Sequence, residues 1–195
     1  TGVQTCALPI SSRTRSLEFL RGTLVDREAQ LLNRPGNVGF EFLDLLIEPE
    51  QGGTIYDPRF LRRAWELQQA AAKAPQARET SSVLASLQQI ARESYKKPFP
   101  DTAEEVASAF FLIESRLAPE VQRQLYFPGG VRMAVSYGED DSVEFGRFCD
   151  AILTIARSQF PDLKVSTFGK TPLFPRVDAY IRTGKVRSEE HTSEL

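Results

Sequence analysis

Short apolar runs alternate with longer amphipathic runs along most of this 195-residue chain, and that alternation limits the folds that it can adopt. The run VGFEFLDLLI at 38–47 is almost continuously apolar and too short for a typical long helix, so it predicts a buried strand. At 131–137, apolar residues alternate with Arg, Ala and Ser, and this period of two predicts a strand with one face on the core. Two further short strands are predicted at 77–83 and 163–168.

Stretches with helical spacing separate these strands. Asp57 directly precedes Pro58, and this pair predicts a helix start because the Asp side chain can accept a backbone N–H, while Pro at the first helical position loses no hydrogen bond. Asp101 and Glu104 resemble a capping box for a helix that we expect to be buried over a wide arc, including Phe111. The alternation predicts an α/β (α+β) chain, most simply built from two β-α-β units of ferredoxin-like kind. Helices are predicted at 16–33, from 58 to before 75, at 84–95, 101–117, 142–160 and 172–182.

The two ends of the chain are expected to be foreign to it. Residues 187–195 back-translate into DNA whose reverse complement, read one frame over, encodes residues 3–10 of the first ten, and that DNA resembles a sequencing-library adapter. We therefore interpret residues 1–10 and 187–195 as non-native adapter translation and exclude them from arguments on fold and function. The exclusion removes His191 and Cys6, so no imidazole is left for acid–base or zinc chemistry and no partner is left for a Cys149 disulfide.

The remaining region, 11–186, has no net charge. The chain holds 24 Lys and Arg and 26 Asp and Glu residues, of which the ends supply one and three, and 23 of each sign remain. Because the two signs are interspersed, this region has no electrostatic footprint for nucleic acid or for an anionic membrane surface. No run in it approaches the roughly 18 apolar residues that a membrane span needs. Its length suits one ordinary domain or two small subdomains.

No residue pattern in this region predicts catalysis, a cofactor site or a metal site. The string GKT at 169–171 ends like a phosphate-binding loop, but the glycine that such a loop needs five residues earlier is Lys164, so nucleotide binding is not expected. The acidic run 139–141 precedes a helix start, where solvated capping charges are favoured over a metal site. Cys149 lies in a helical pattern without a nearby His or Lys, which favours a small buried hydrophobe over a nucleophile.

The order of several strings resembles a known family. The string TIYDPRFL at 54–61, followed by WELQ at 65–68, looks like a strand, an Asp-Pro pair and a helix of that family. The pattern is similar to the first large extracytoplasmic loop of the resistance-nodulation-division (RND) superfamily, in the branch of predicted lipid or hydrophobe exporters related to the MMPL proteins. The resemblance covers nearly all of 38–186. Its later segments are SVLASL at 82–87, PDT at 100–102, FLIES at 111–115, the strand 131–137, TFGKTPLF at 167–174, Tyr180 and GKV at 184–186.

The resemblance implies ferredoxin-like β-α-β porter subdomains with extra helices, at about 38–100 and 101–186. It implies the periplasmic porter domain of a proton-driven exporter in a bacterial inner membrane, which guides a hydrophobic or amphiphilic, lipid-like molecule and is not itself an enzyme. The implied partners are the transmembrane helices and the second porter loop of the same transporter. The resemblance also allows a homo-oligomer. Proton-coupling carboxylates would lie in the membrane helices, outside this chain.

Three phenylalanines, Phe127, Phe168 and Phe174, are the residues predicted along the substrate path. Phe168 departs from the family, which often has a smaller residue between the Thr and the Gly of this turn. The coding sequence is expected to continue, within about ten residues of Val186, into roughly 20 apolar residues, with a matching stretch upstream of Ser11. Two other classes stay open. A stand-alone α/β enzyme would need convergent polar residues in a pocket, whereas a porter predicts an apolar cleft between subdomains. A soluble interaction domain would show one exposed apolar patch and no cleft.

Overall fold

The structure is a computed structural model, and it describes residues 41–50, 53–116, 126–127, 129–138 and 142–168. Helices and one sheet make up this part of the chain, which confirms the predicted α+β class. The predicted helices at 16–33 and 172–182 lie outside the described residues. The strands are β1 (Glu41–Glu48), β2 (Ala77–Ser82), β3 (Tyr126–Phe127), β4 (Gly130–Tyr137) and β5 (Lys164–Phe168). The helices are α1 (Pro58–Ala71), α2 (Val83–Ile90), continued by a π-helical turn (Ala91–Tyr95), α3 (Ala103–Arg116) and α4 (Ser142–Gln159).

The sheet has the order β2-β4-β1-β5, and the short β3 pairs with β4. All neighbouring strands are antiparallel. The connections β1-α1-β2 and β4-α4-β5 each pass over one intervening strand, so two β-α-β units interleave in the split arrangement of ferredoxin-like folds. Helices α2 and α3 are additions between β2 and β3.

Both of the predicted subdomains contribute strands to this one sheet. Strands β1 and β2 come from the 38–100 range, whereas β3, β4 and β5 come from the 101–186 range. Strand β1 pairs with β4 from Glu41 opposite Tyr137 to Ile47 opposite Val131. A boundary near residue 100 would therefore run between hydrogen-bonded strands of a single sheet.

One face of the sheet packs on the helices and forms the core. On β1, Leu43, Leu45 and Ile47 are fully buried, while Phe42, just before them on the alternate face, is 38% exposed. The predicted buried strand is thus covered by the described helices on only one of its two alternating sets of side chains. The core also contains Leu61, Leu67, Leu84, Leu87, Phe110, Met133, Val135, Tyr137, Phe145 and Ile152.

Helix α1 begins where the sequence predicts. Asp57 is its N-cap, and its Oδ1 accepts a hydrogen bond of 2.8 Å from the backbone N–H of Arg59. Pro58 occupies the first turn, where it loses no hydrogen bond. None of the described helices is both long enough and apolar enough to cross a membrane.

Helix α3 begins one residue later than its predicted capping box and is buried over a narrower arc. Thr102 Oγ1 accepts from the Glu105 N–H at 3.2 Å, and Glu105 Oε2 accepts from the Asp101 N–H at 3.0 Å. The capping pair is thus Thr102 and Glu105 rather than Asp101 and Glu104. Phe111, which was expected to be buried, is 69% exposed, because only one side of α3 meets the core.

Candidate functional site

A groove of about 570 Å³ lies on the sheet face opposite the core. This volume is within the range of roughly 300–1,000 Å³ that is typical of small-molecule sites. Residues of β1, β2 and β4 alone line it, and the small Ala134 and Ser136 lie on β4, the middle one of these strands. The lining residues are Phe42, Asp44, Glu79, Ser81, Arg132, Ala134 and Ser136.

One row of the groove crosses three strands. Phe42 on β1 lies opposite Ser136 on β4. On the other side of Ser136 lies Glu79 of β2, whose backbone N–H donates to Ser136 Oγ at 2.9 Å. The same hydroxyl donates to the Glu79 carbonyl oxygen at 3.3 Å. These two bonds fix the backbone that carries Glu79, and they place Phe42 and Glu79 on either side of one small side chain.

An ion pair closes another side of the groove. Arg132 Nε and Nη2 both donate to Asp44 Oδ1, at 3.1 and 2.8 Å. The guanidinium carbon of Arg132 also lies 5.3 Å from the ring centroid of Phe168, a distance at which cation–π attraction operates. Both charged side chains are largely buried, so the Asp44 carboxylate and the guanidinium neutralise each other locally.

Two of the three predicted path residues, Phe127 and Phe168, belong to the described part of the chain, and they lie apart. Phe168 lies at the end of β5 opposite Asp44, beside the ion pair. Phe127 lies on β3 opposite Gly130, four residues along β4 from the row of Phe168, which is about 13 Å at the usual rise of a strand. Phe174 lies outside the described residues.

None of the seven lining residues was predicted as a site residue from the sequence, and this includes Phe42, Glu79, Arg132 and Ser136. The period of two in 131–137 already assigns Arg132 and Ser136 to the face turned away from the core. Phe42 carries no such signal, because a continuously apolar run does not show which of its residues are uncovered. Glu79 has none either, since its strand ARETSS is mostly polar.

Cys149 and groups of possible metal ligands were the remaining candidates for reactive chemistry. Cys149 is buried in α4, and burial raises the pKa of its thiol to about 12, so the protonated, weakly nucleophilic form prevails at neutral pH. The expectation of a buried cysteine is confirmed. Within the described ranges, no three His, Cys, Asp or Glu residues are grouped so that they could hold a metal ion.

Trp65, the one tryptophan of the chain, packs on the helical side of the sheet. Its ring stacks on Phe99 with centroids 5.4 Å apart. It therefore lies apart from the groove.

Comparison of the chain with protein-family models, with curated proteins and with solved structures finds no match.

Proposed function

We propose that residues 11–186 are the periplasmic porter region of a proton-driven RND-type exporter, related to the MMPL branch. In this proposal the groove side of the sheet contacts the hydrophobic or amphiphilic, lipid-like molecule on its way out. The observation that carries it is the groove itself: strand residues alone line it, and it has an exposed aromatic side chain, Phe42, at one margin. Five of the seven lining residues are charged or carry a hydroxyl, so the groove is more polar than the apolar cleft expected of a porter. This mixture of aromatic, charged and hydroxyl groups suits an amphiphile.

The order of the family-like segments supports the assignment, and so does the split β-α-β topology that the resemblance implies. A shared topology by itself supports only the fold, since one fold hosts many functions. The region would be joined to transmembrane helices and would meet the second porter loop, on the outer side of a bacterial inner membrane. It would move its substrate unchanged, without an enzymatic step.

An interaction domain is the second candidate, and one observation favours it. Phe111 on α3 and Tyr56 before α1 are 69% and 44% exposed. The Tyr56 ring meets the buried Phe110 edge-on with centroids 5.0 Å apart, and Phe111 is the next residue of α3. Exposed aromatic side chains on the helical side are what a contact site for another protein would use.

Amphiphile binding tests the proposed site directly. In nuclear magnetic resonance titrations of the full chain with decyl maltoside below its micelle concentration, we expect shifts confined to amides of β1, β2 and β4. Phe42→Ser should weaken binding several-fold, because it removes the aromatic wall. Phe111→Ser makes the same substitution at an exposed aromatic residue outside the groove, and it should leave binding unchanged. Shifts that map to α3, or a Phe42→Ser chain that binds normally, would contradict the groove assignment.

The coding sequence tests the exporter assignment separately. Long-read sequencing of the source gene should show, within about ten residues after Val186, an apolar stretch of roughly 20 residues, with a second one upstream of Ser11. A stop codon soon after Val186, or polar sequence on both sides, would eliminate the exporter and favour the interaction domain.

A further inference from the structure

The charges that line the groove do not cancel. Arg132 and Asp44 form an ion pair, in which two guanidinium N–H groups donate to one carboxylate oxygen. Glu79 is exposed at the opposite margin, and no ion pair engages its carboxylate among the described residues. Its neighbour Arg78 does not line the groove, since Arg78 Nη2 reaches the Gly138 carbonyl oxygen at 3.5 Å. Among the described residues that line it, the groove therefore carries one uncompensated negative charge, at Glu79.

Phe42 lines the groove two strands away from that charge, across a gap in which Ser136 lies. Phe42 and Glu79 flank Ser136 on the two neighbouring strands. Adjacent strands are about 4.8 Å apart, so the backbones of Phe42 and Glu79 are separated by about 10 Å. Only the small side chain of Ser136 occupies the row between them. A cationic nitrogen in this gap could pair with the carboxylate and contact the ring at the same time.

An anionic head group meets the opposite situation. The one cation that lines the groove, among the described residues, is Arg132, and its Nε and Nη2 already bond Asp44. An anion would have to disrupt that pair and would also lie near the Glu79 carboxylate. Like charges repel across a site with low-dielectric walls, so both effects disfavour anions.

From this arrangement we propose that the groove selects amphiphiles with a cationic nitrogen head group, with Glu79 as the ion-pairing residue and Phe42 as the aromatic wall. The inference rests on the proposed role of the groove in amphiphile binding, and it adds the charge of the substrate. It makes Glu79 the residue that determines specificity.

Three probes with one chain length separate charge from apolar contact. Calorimetric titration of the full chain, at low ionic strength and below micelle concentrations, would use decyltrimethylammonium, decyl maltoside and decanoate. We expect the cation to bind about threefold or more tightly than the maltoside, the size expected for an exposed ion pair with a cation–π contact. Decanoate should bind most weakly.

Variants then locate the preference. Glu79→Gln keeps the shape of the side chain and should reduce cation affinity to that of the maltoside, whose own affinity should not change. Glu104→Gln removes an exposed carboxylate of α3 that does not line the groove, and it should leave all three affinities unaltered. Circular dichroism would verify that both variants fold.

The outcomes distinguish this inference from the proposed function. Equal affinities for the three probes, or a cation preference that survives in Glu79→Gln or disappears equally in Glu104→Gln, would overturn selection by Glu79 but keep amphiphile binding. If none of the three probes binds, the groove assignment under the proposed function fails as well.

Discussion

At the scale of single residues, Asp57 fixes one end of α1 with one side-chain hydrogen bond. Asp57→Ala would leave the Arg59 N–H without its acceptor, and we expect a loss of about 1 kcal/mol in the free energy of unfolding. Urea unfolding followed by circular dichroism would measure it. Asp57→Asn keeps a cap acceptor and should lose much less. If the Ala variant is as stable as the parent, the cap contributes nothing to stability.

Cys149 is the second residue with a measurable consequence. Its folded pKa, about 12, lies above the roughly 8.5 of an ordinary thiol, so the folded state resists forming the thiolate. The contribution of the buried, protonated thiol to the free energy of unfolding is therefore fully present below about pH 8.5, and it is lost as pH rises from there toward 12.

A thiol reagent would report this difference. In a Cys6→Ser chain, which keeps Cys149 alone, the native protein at pH 8 should react with an aromatic disulfide at least about tenfold more slowly than the urea-unfolded protein. Equal rates in the native and unfolded states would show that the thiol is accessible and is not held in the protonated form.

The capping pair of α3 shows why sequence spacing places a helix end only to within a residue. Asp101 with Glu104 and Thr102 with Glu105 both have a cap residue followed three positions later by Glu. Both spacings satisfy the rule, and the geometry of the preceding turn decides between them.

At the scale of elements, the close approach of β4 to β1 depends on a glycine. A Cβ on Gly130 would lie 2.7 Å from the Ile47 carbonyl oxygen and 2.9 Å from Leu46 Cδ1. Because the first of these atoms belongs to the backbone of the partner strand, relief requires the strands to shift. Gly130→Ala should therefore destabilise the fold by about 1–3 kcal/mol in denaturant unfolding.

Gly129 is the matched control, since a Cβ there would meet no atom within 4 Å. Gly129→Ala should change stability by less than about 0.5 kcal/mol. An equal effect of the two substitutions would mean that backbone freedom in the turn, and not the contact with β1, makes glycine necessary.

The sequence predicts the elements better than their arrangement. The strands at 77–82, 130–137 and 164–168 follow from local patterns, because the period of two and the turn residues are local signals. The pairing of β1 with β4 joins residues about 90 positions apart, and no local pattern encodes it. The groove depends on that pairing, because the pairing places Phe42 beside Ser136, on the side opposite Glu79.

The same limit explains Phe111. Helical spacing groups it with the apolar residues of α3, but the width of the covered arc depends on what packs there. The buried side of α3 consists of Val106, Ala109, Phe110 and Ile113.

At the scale of the whole molecule, side-chain bonds connect the helical layer to the sheet. The buried Gln68 of α1 donates from Nε2 to Thr80 Oγ1 at 3.2 Å and accepts from Ser82 Oγ at 2.6 Å. Arg63 of the same helix bonds both oxygens of Asp162, just after α4, at 2.8 Å. Helix α1 is thereby attached to β2 on one side and to the second β-α-β unit on the other. These contacts make the two interleaved units one body.

The chain ends are expected to contribute nothing to that body. The described core extends from Leu43 to Leu163, and the adapter-like residues 1–10 and 187–195 have neither helical periodicity nor apolar residues spaced for a core. Deleting both ends should leave the melting temperature unchanged within about 1 °C. A fall of several degrees, which corresponds to about 1 kcal/mol in a domain of this size, would show that the ends belong to the fold.

Truncation at residue 163 gives the contrasting case, since it removes β5 as well as the end. Strand β5 pairs with β1 from Lys164 opposite Glu48 to Phe168 opposite Asp44, and its loss would uncover one edge of a central strand. This chain should melt well below the parent or fail to fold, while the chain cut only at residue 186 should melt like the parent. Calorimetry of the three chains would decide whether stability ends with the sheet or with the last residue, and equal melting of all three would contradict the assigned sheet.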